Sequence, residues 1–155
     1  MRLPIAAAIA SITLFACSPA EESGPVEAVE NAWVRLPAVD GRPAAAYFTL
    51  NGGEAGDTLL AVDSERVATI ELHETTMEDG AMRMRPIMSV DLPAGETVAF
   101  EPGGRHAMLF GIDSEITPGT QLSLNFRFDS GRDVSVDAET IAAGDSAPFE
   151  SAQPE

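Results

Sequence analysis

Several residue types that usually carry chemistry are scarce in this chain of 155 residues. Cys17 is the only cysteine, so the chain can form no internal disulfide and offers no cysteine–histidine nucleophile pair. There are only two histidines, and they do not form a His-Glu-x-x-His pattern. A catalytic zinc site usually takes three protein ligands, commonly three histidines or two histidines and a glutamate. We therefore predict that the protein is not an enzyme.

Positive charge is scarce as well. All 9 basic residues are arginine, they face 25 acidic residues, and the formal net charge is -16. Such a chain is repelled by nucleic acid and by anionic lipid headgroups. The composition therefore excludes nucleic-acid binding and electrostatic adhesion to membranes.

The longest apolar stretch lies at the start of the chain and is too short to span a bilayer as a stable helix. Preceded by Arg2, it predicts a signal peptide over residues 1–16. The sequence Leu14-Phe15-Ala16-Cys17 resembles a bacterial lipobox, which predicts a lipid on Cys17 and a membrane-anchored lipoprotein in the periplasm. The alternative is ordinary cleavage nearby, which leaves Cys17 as a free thiol.

The remaining length fits one domain between two extensions. Residues 17–27 are rich in Ser, Pro, Glu and Gly and predict a flexible tether. Residues 141–155 are rich in Ala, Ser, Pro and acid, without apolar periodicity, and predict a disordered acidic tail. We place the folded domain at residues 28–140.

No segment of that domain has a long helical apolar stripe. Short runs of Val, Ile, Leu, Phe and Thr recur instead between Gly, Pro, Asn and Asp, and Leu122–Phe128 alternates apolar with polar residues. This pattern predicts an all-β fold, an antiparallel Greek-key β-sandwich. The predicted strands are Ala32–Leu36, Ala45–Asn51, Asp57–Ser64, Thr69–Thr75, Met82–Met88, Thr97–Phe100, Ala107–Ile112, Gln121–Phe128 and Val134–Ala138.

Both histidines have a methionine close enough to share a metal ion. His106 and Met108 are two residues apart in a predicted strand, so their side chains point to the same face. Met84 follows His73 across the turn-like sequence Glu78-Asp79-Gly80, which could fold the two back together. Two imidazoles and two thioethers without a thiolate suit Cu(I) better than zinc, calcium or magnesium. The four residues therefore predict a Cu(I) site.

Structural roles that involve no metal remain open for several of these residues. In isolation His73 would be a surface strand residue, and Met84 could face the core. Met82 and Met88 share the parity of Met84, so we expect them in the core or beside the metal, while Met77 in the turn could add a thioether.

The surroundings of the two histidines also allow predictions. His106 follows a glycine-rich turn, so we expect little packing to depend on it. Four acidic residues lie near His73 and are expected to form a solvated face, although one could accept a hydrogen bond from a histidine ring. They are Glu71, Glu74, Glu78 and Asp79.

These residues resemble the signature of the periplasmic copper chaperones called PCu(A)C proteins. That signature is a His, ten residues, a Met, twenty-one residues, and then His-x-Met. Here Glu74 to Arg83 is ten residues and Arg85 to Arg105 is twenty-one. The resemblance extends from about Ala32 to Val136. It includes the supporting segments Ala32-Trp33-Val34-Arg35, Ala46-Tyr47-Phe48-Thr49-Leu50-Asn51 and Leu92-Pro93-Ala94-Gly95.

The resemblance implies a cupredoxin-like β-sandwich that carries one Cu(I) on His73, Met84, His106 and Met108. It also implies delivery of copper to the binuclear centre of cytochrome c oxidase, alongside Sco-type assembly proteins. We expect the protein to be a monomer. No His or Met follows Met108, so we expect no second, Cu(II)-binding site of the kind that some relatives carry in a C-terminal extension. The alternative function is a metal-free structural or adhesive β-sandwich on a lipid anchor.

Overall fold

The computed structural model describes residues 26–149. The regular secondary structure in that range consists of ten β-strands. No helix that could cross a membrane occurs there. The predicted signal peptide, Cys17, most of the predicted tether and residues 150–155 lie outside the described residues. The strands are β1 (Val26–Arg35), β2 (Ala44–Gly52), β3 (Asp57–Asp63), β4 (Val67–Glu78), β5 (Ala81–Pro86), β6 (Val90–Leu92), β7 (Thr97–Phe100), β8 (Arg105–Ile112), β9 (Gln121–Phe128) and β10 (Asp133–Ile141).

The strands are hydrogen-bonded in the order β5-β4-β8-β2-β1-β10-β9-β3-β6, and β7 pairs with β2. One end of β2 pairs with β8 and the other end with β7. Between described strands, β1 and β10 run parallel and the other pairs are antiparallel, so the prediction of a purely antiparallel fold is wrong at this one pair. The sheet folds over a single core as a β-sandwich, and the all-β prediction is confirmed.

The core explains why these segments are strands. Alternate residues of β2 and β9 are buried, as expected when one face of a strand packs inward. Phe48 stacks on Phe100 with ring centroids 4.2 Å apart and meets the edge of Phe126 at 4.8 Å. Phe48 and Phe100 are neighbours on the paired strands β2 and β7, whereas Phe126 comes from β9, so the Phe48–Phe126 contact joins strands that are not hydrogen-bonded to each other.

Each of the nine predicted strands forms, two of them (Thr97–Phe100 and Gln121–Phe128) with the predicted bounds and seven with shifted bounds, and a tenth was missed. The missed strand, β6, has three residues and ends just before Pro93. β1 begins at Val26, inside the predicted tether, and β10 extends to Ile141, inside the predicted tail. β10 is longer than predicted because it pairs with β9 on one side and, near its end, with β1 on the other.

The residues after β10 are held against the domain. The Arg35 guanidinium donates hydrogen bonds to the carbonyls of Ala143 (3.1 Å) and Asp145 (2.6 Å), and it lies 5.1 Å from the centroid of the Trp33 ring. The segment just beyond Ile141 is therefore structured, in contrast to the disorder expected for residues 141–155.

Truncating the aromatic core should unfold the domain more readily. We expect Phe126→Ala to lower the free energy of unfolding by about 3–5 kcal/mol, because the side chain is fully buried against Phe48 and would leave a cavity. Urea denaturation followed by circular dichroism measures this change. A loss below about 1 kcal/mol would be typical of a surface residue and would contradict the placement of Phe126 in the core.

Candidate metal site

The candidate site begins with the turn between β4 and β5. Asp79 and Gly80 form a two-residue loop between the paired residues Glu78 and Ala81. Both loop residues have positive φ, 51° and 78°, as a hairpin turn that matches strand twist requires. The predicted turn is therefore confirmed, and it returns Met84 alongside β4, where it pairs with Thr75.

Strand register places the four predicted ligands on one face of the sheet. His73 on β4 lies opposite His106 on β8 and opposite Pro86 on β5. Met84 is two residues before Pro86 and Met108 is two residues after His106, so all four side chains share one face. The two imidazole centroids are 5.9 Å apart.

Three of these residues line an open groove of about 400 Å³. Met84, His106 and Met108 lie along it together with Tyr47 and Met82. Met84 is 55% exposed, whereas His106 is only 6% exposed. An ion in this groove would touch solvent on the methionine side and protein on the imidazole side.

His106 offers one free nitrogen to the groove. Its Nδ1 lies 3.1 Å from the carbonyl oxygen of Gly104. Because a carbonyl only accepts hydrogen bonds, Nδ1 must carry the proton in the neutral ring, and Nε2 keeps its lone pair. The expectation that little packing depends on His106 is wrong, since the ring is buried 6.4 Å from the Tyr47 ring.

His73 has the reverse arrangement. Its Nε2 lies 3.0 Å from a carboxylate oxygen of Glu71, so this nitrogen carries the proton in the neutral ring. Its Nδ1 is buried and has no hydrogen-bond partner. A buried acceptor without a partner costs about 1–3 kcal/mol, and a metal ion is one partner that would satisfy it.

Glu71 is the acidic residue that orients a histidine ring, as a carboxylate does beside many metal-binding imidazoles.

Glu74 and Glu78 have another role. Glu74 lies between Arg85 (3.1 Å) and Arg105 (3.3 Å), and Glu78 pairs with Arg83 at 3.4 Å. On the other face of the sheet, the Glu74–Arg105 pair therefore links the hairpin to β8, and the pairs with Arg85 and Arg83 join β4 to β5. Glu71 is two residues from His73 and so shares its face of the strand, whereas Glu74 is the next residue and lies on the other face. This alternation could have predicted from the sequence that Glu71, and not Glu74, reaches the His73 ring.

Two aromatic residues support the imidazoles. The Trp33 and Tyr47 rings lie 4.4 Å apart, and Tyr47 separates Trp33 from His106. Burial raises the pKa of the Tyr47 hydroxyl, an effect that the nearby Arg35 charge partly opposes. Tyr47 therefore stays a neutral phenol at neutral pH and adds no charge to the site.

The other methionines separate into two groups. Met77 lies in β4 rather than in the turn, directly opposite Met82, and both are on the face that carries His73. Met82 lines the groove and is exposed, so it does not lie in the core, and its place beside a metal stays a prediction. Met88 is 90% exposed, so its predicted place in the core or beside the metal is wrong. Strand β5 ends at Pro86, so the alternation of side chains between the two faces cannot be extended to Met88.

The donor chemistry fits a soft monovalent ion. Within residues 26–149, no three His, Cys, Asp or Glu side chains gather where they could hold a metal ion. The groove offers the His106 imidazole and thioether sulfurs instead, and the unpartnered Nδ1 belongs to His73 on the same face of the sheet, which together make a donor set suited to Cu(I). The assignment of His73, Met84, His106 and Met108 as ligands stays a prediction.

The chain belongs to the LpqE-like, PCuAC-type family, whose model, described as "Putative lipoprotein LpqE-like", matches residues 28–140. It is 32% identical to the "Putative lipoprotein Lxx21020" of Leifsonia xyli over 115 residues, which cover 74% of this chain and 68% of that protein.

Solved structures give the fold. The copper-bound PCuAC domain from PmoF2 matches with a TM-score of 0.62 and 23% identity, covering 74% of this chain and 91% of that domain. The solution structure of CuI-DR1885 from Deinococcus radiodurans matches with a TM-score of 0.54 and 23% identity, covering 77% of this chain and 83% of that one. The predicted cupredoxin-like β-sandwich is confirmed by these likenesses.

The two histidines should contribute differently to the stability of the metal-free protein. We expect His106→Ala to cost about 2 kcal/mol, because it removes a buried ring and leaves the Gly104 carbonyl without its donor. We expect His73→Ala to cost less than about 1 kcal/mol, because losing an unpartnered buried acceptor offsets the loss of the exposed Glu71 contact.

Urea denaturation of both variants in the presence of a copper chelator measures the difference. Equal losses of stability would contradict the distinction between a satisfied and an unsatisfied imidazole.

Proposed function

We propose that the protein is a Cu(I) carrier that binds one ion between His73, His106, Met84 and Met108 and hands it to another protein. The observation that carries this proposal is the buried, unpartnered Nδ1 of His73 on the face that presents the free Nε2 of His106. A buried acceptor without a protein partner calls for an explanation, and a bound metal ion is one that fits this donor.

The thioethers support a carrier rather than a permanent metal centre. Met84 is more than half exposed, so a thiolate of an acceptor could approach the ion from that side. Neutral thioethers bind Cu(I) without the charge of a thiolate, which favours exchange with a stronger ligand. The related domains from PmoF2 and DR1885 have been solved with copper, which agrees with a copper cargo here.

The destination of the ion and the location of the protein belong to the same proposal. We infer a periplasmic lipoprotein anchored through Cys17, in agreement with the lipoprotein name of the Leifsonia relative. The proposed acceptor is the binuclear copper centre of cytochrome c oxidase, reached together with Sco-type assembly proteins. The proposed carrier is a monomer that has no catalytic activity.

Removing the thioether sulfurs should weaken copper binding without unfolding the protein. Met84→Leu and Met108→Leu keep the volume and the apolar character of the side chains, so stability should change by less than about 1.5 kcal/mol. The affinity for Cu(I) should fall in both variants, as measured by competition with a colorimetric chelator under anaerobic reductant.

Met88→Leu is the matched control, because Met88 is fully exposed and lies outside β4, β5 and β8. It should bind Cu(I) as tightly as the parent protein. Equal affinity in all three variants would show that the thioethers are not ligands. A parent protein that ignores Cu(I) would favour the metal-free structural or adhesive function.

The protein should hold one tightly bound Cu(I) and no tightly bound Cu(II). Cu(II) prefers nitrogen and oxygen donors in a tetragonal arrangement, and two imidazoles among thioethers do not provide one. Titration with Cu(II) in air should use a competing chelator and moderate salt, which screens loose binding to the acidic surface. A Cu(II) complex that survives the chelator, or a second tight equivalent of Cu(I), would contradict this prediction.

A further inference from the structure

A second group of soft donors lies further along the β4–β5 hairpin. Met77 and Met82 face each other across the two strands, and Met84 is the next residue of β5 on the same face. We call these three residues the methionine row. They are 68%, 63% and 55% exposed, whereas the His73 side chain, on the same face, is 12% exposed.

The apolar character of the methionine row is not explained by burial. All six residues of β5 are exposed, and β5 is the last strand at this edge of the sheet. Its other face carries Arg83 and Arg85, which pair with Glu78 and Glu74. Exposed edge strands are ordinarily protected by charge, because flat apolar edges invite aggregation. On the remaining face of β5, Met82 and Met84 precede Pro86, so two exposed thioethers stand where charge would be expected, and they call for another use.

The geometry of the hairpin allows the thioethers to converge. Side chains that are directly opposite in an antiparallel pair have Cβ atoms about 4.5–5.5 Å apart, so two long methionine side chains can bring both sulfurs to one ion. Met84 pairs with Thr75, which lies between Met77 and His73 on this face of β4. Met84 also lines the groove beside His106. It is therefore placed to contact an ion at either position.

We propose that Met77, Met82 and Met84 form an entry position for Cu(I), from which the ion passes to His73 and His106 while Met84 stays bound. This proposal rests on the proposed function of the site. The step is ligand exchange alone: the sulfurs of Met77 and Met82 leave as the free imidazole nitrogens bind, and copper remains Cu(I). Because both positions need Met84, they are occupied in turn, and the chain still carries one ion.

The test compares rates with affinities. The double variant Met77→Leu/Met82→Leu keeps an apolar surface of similar volume at exposed positions, and circular dichroism checks that it folds. Each protein is loaded with one equivalent of Cu(I) from its acetonitrile complex. Stopped-flow absorbance then follows transfer to bathocuproine disulfonate. We expect unchanged equilibrium affinity and transfer about tenfold slower than in the parent, which corresponds to about 1.4 kcal/mol in the barrier.

A second measurement isolates the entry position. In His73→Ala/His106→Ala, weak Cu(I) binding should persist and shift the methyl NMR signals of Met77 and Met82, and the two further leucine substitutions should abolish it. Met88→Leu is again the control and should change neither measurement.

The outcomes separate the two proposals. A parent protein that binds no Cu(I) would overturn the proposed function together with the entry position. A parent that binds Cu(I), with a double variant that transfers it at the same rate, would overturn the entry position alone. Loss of all Cu(I) binding in the folded double-alanine variant would do the same.

Discussion

The pairing of β4 with β8 is the interaction on which the candidate site depends. On one face of this pair, Leu72, Ala107 and Leu109 are buried in the core of the sandwich. On the other face, the same register sets His73 opposite His106. A slip of one residue would turn the apolar side chains outward and the imidazoles inward, so core packing enforces the register. The energy that folds the domain therefore also positions the two nitrogen donors.

The nitrogen donors and the sulfur donor of Met84 differ in how deeply they are buried. The imidazoles lie inside, and each is held through one ring nitrogen, so in the neutral rings the other nitrogen carries the lone pair. The thioether of Met84 lies outside on a strand that is exposed on both faces. Rigid nitrogen donors favour a defined position for an ion, whereas a flexible exposed sulfur favours its exchange. The unpartnered nitrogen of His73 makes the metal-free state less stable than it could be, a cost that binding would remove.

Local features of the site could be predicted from sequence because they depend on short-range rules. The parity of His106 with Met108 and the Asp79-Gly80 turn each involve a few neighbouring residues, and the structure has both. The opposition of His73 and His106 could not be derived this way, because a β4–β8 register joins segments that are far apart in the chain. The burial of His106 was missed for a similar reason, since Tyr47 comes from β2.

The β1–β10 pairing was missed because it brings together the two ends of the domain. Without it, the last residues of β10 look like the start of a polar tail, and the anchoring of the following segment by Arg35 has no signal in the sequence. The ion pairs of Glu74 were equally hidden, because Arg85 and Arg105 come from two different strands. Properties set by side chains from several strands thus appear only in the folded protein.

The direction of β1 sets the distance between the groove and a lipid anchor on Cys17. Val26 begins the strand, and Trp33, level with the aromatic and imidazole rings of the site, comes seven residues later, roughly 23 Å along the strand. If Cys17 carries a lipid, the chain up to Val26 adds a reach of at most roughly 30 Å. The groove lies toward the end of β1 that is farther from this point of attachment. The proposed anchor and the proposed cargo site would thus lie at opposite ends of β1, so a partner could reach the groove without displacing the tether.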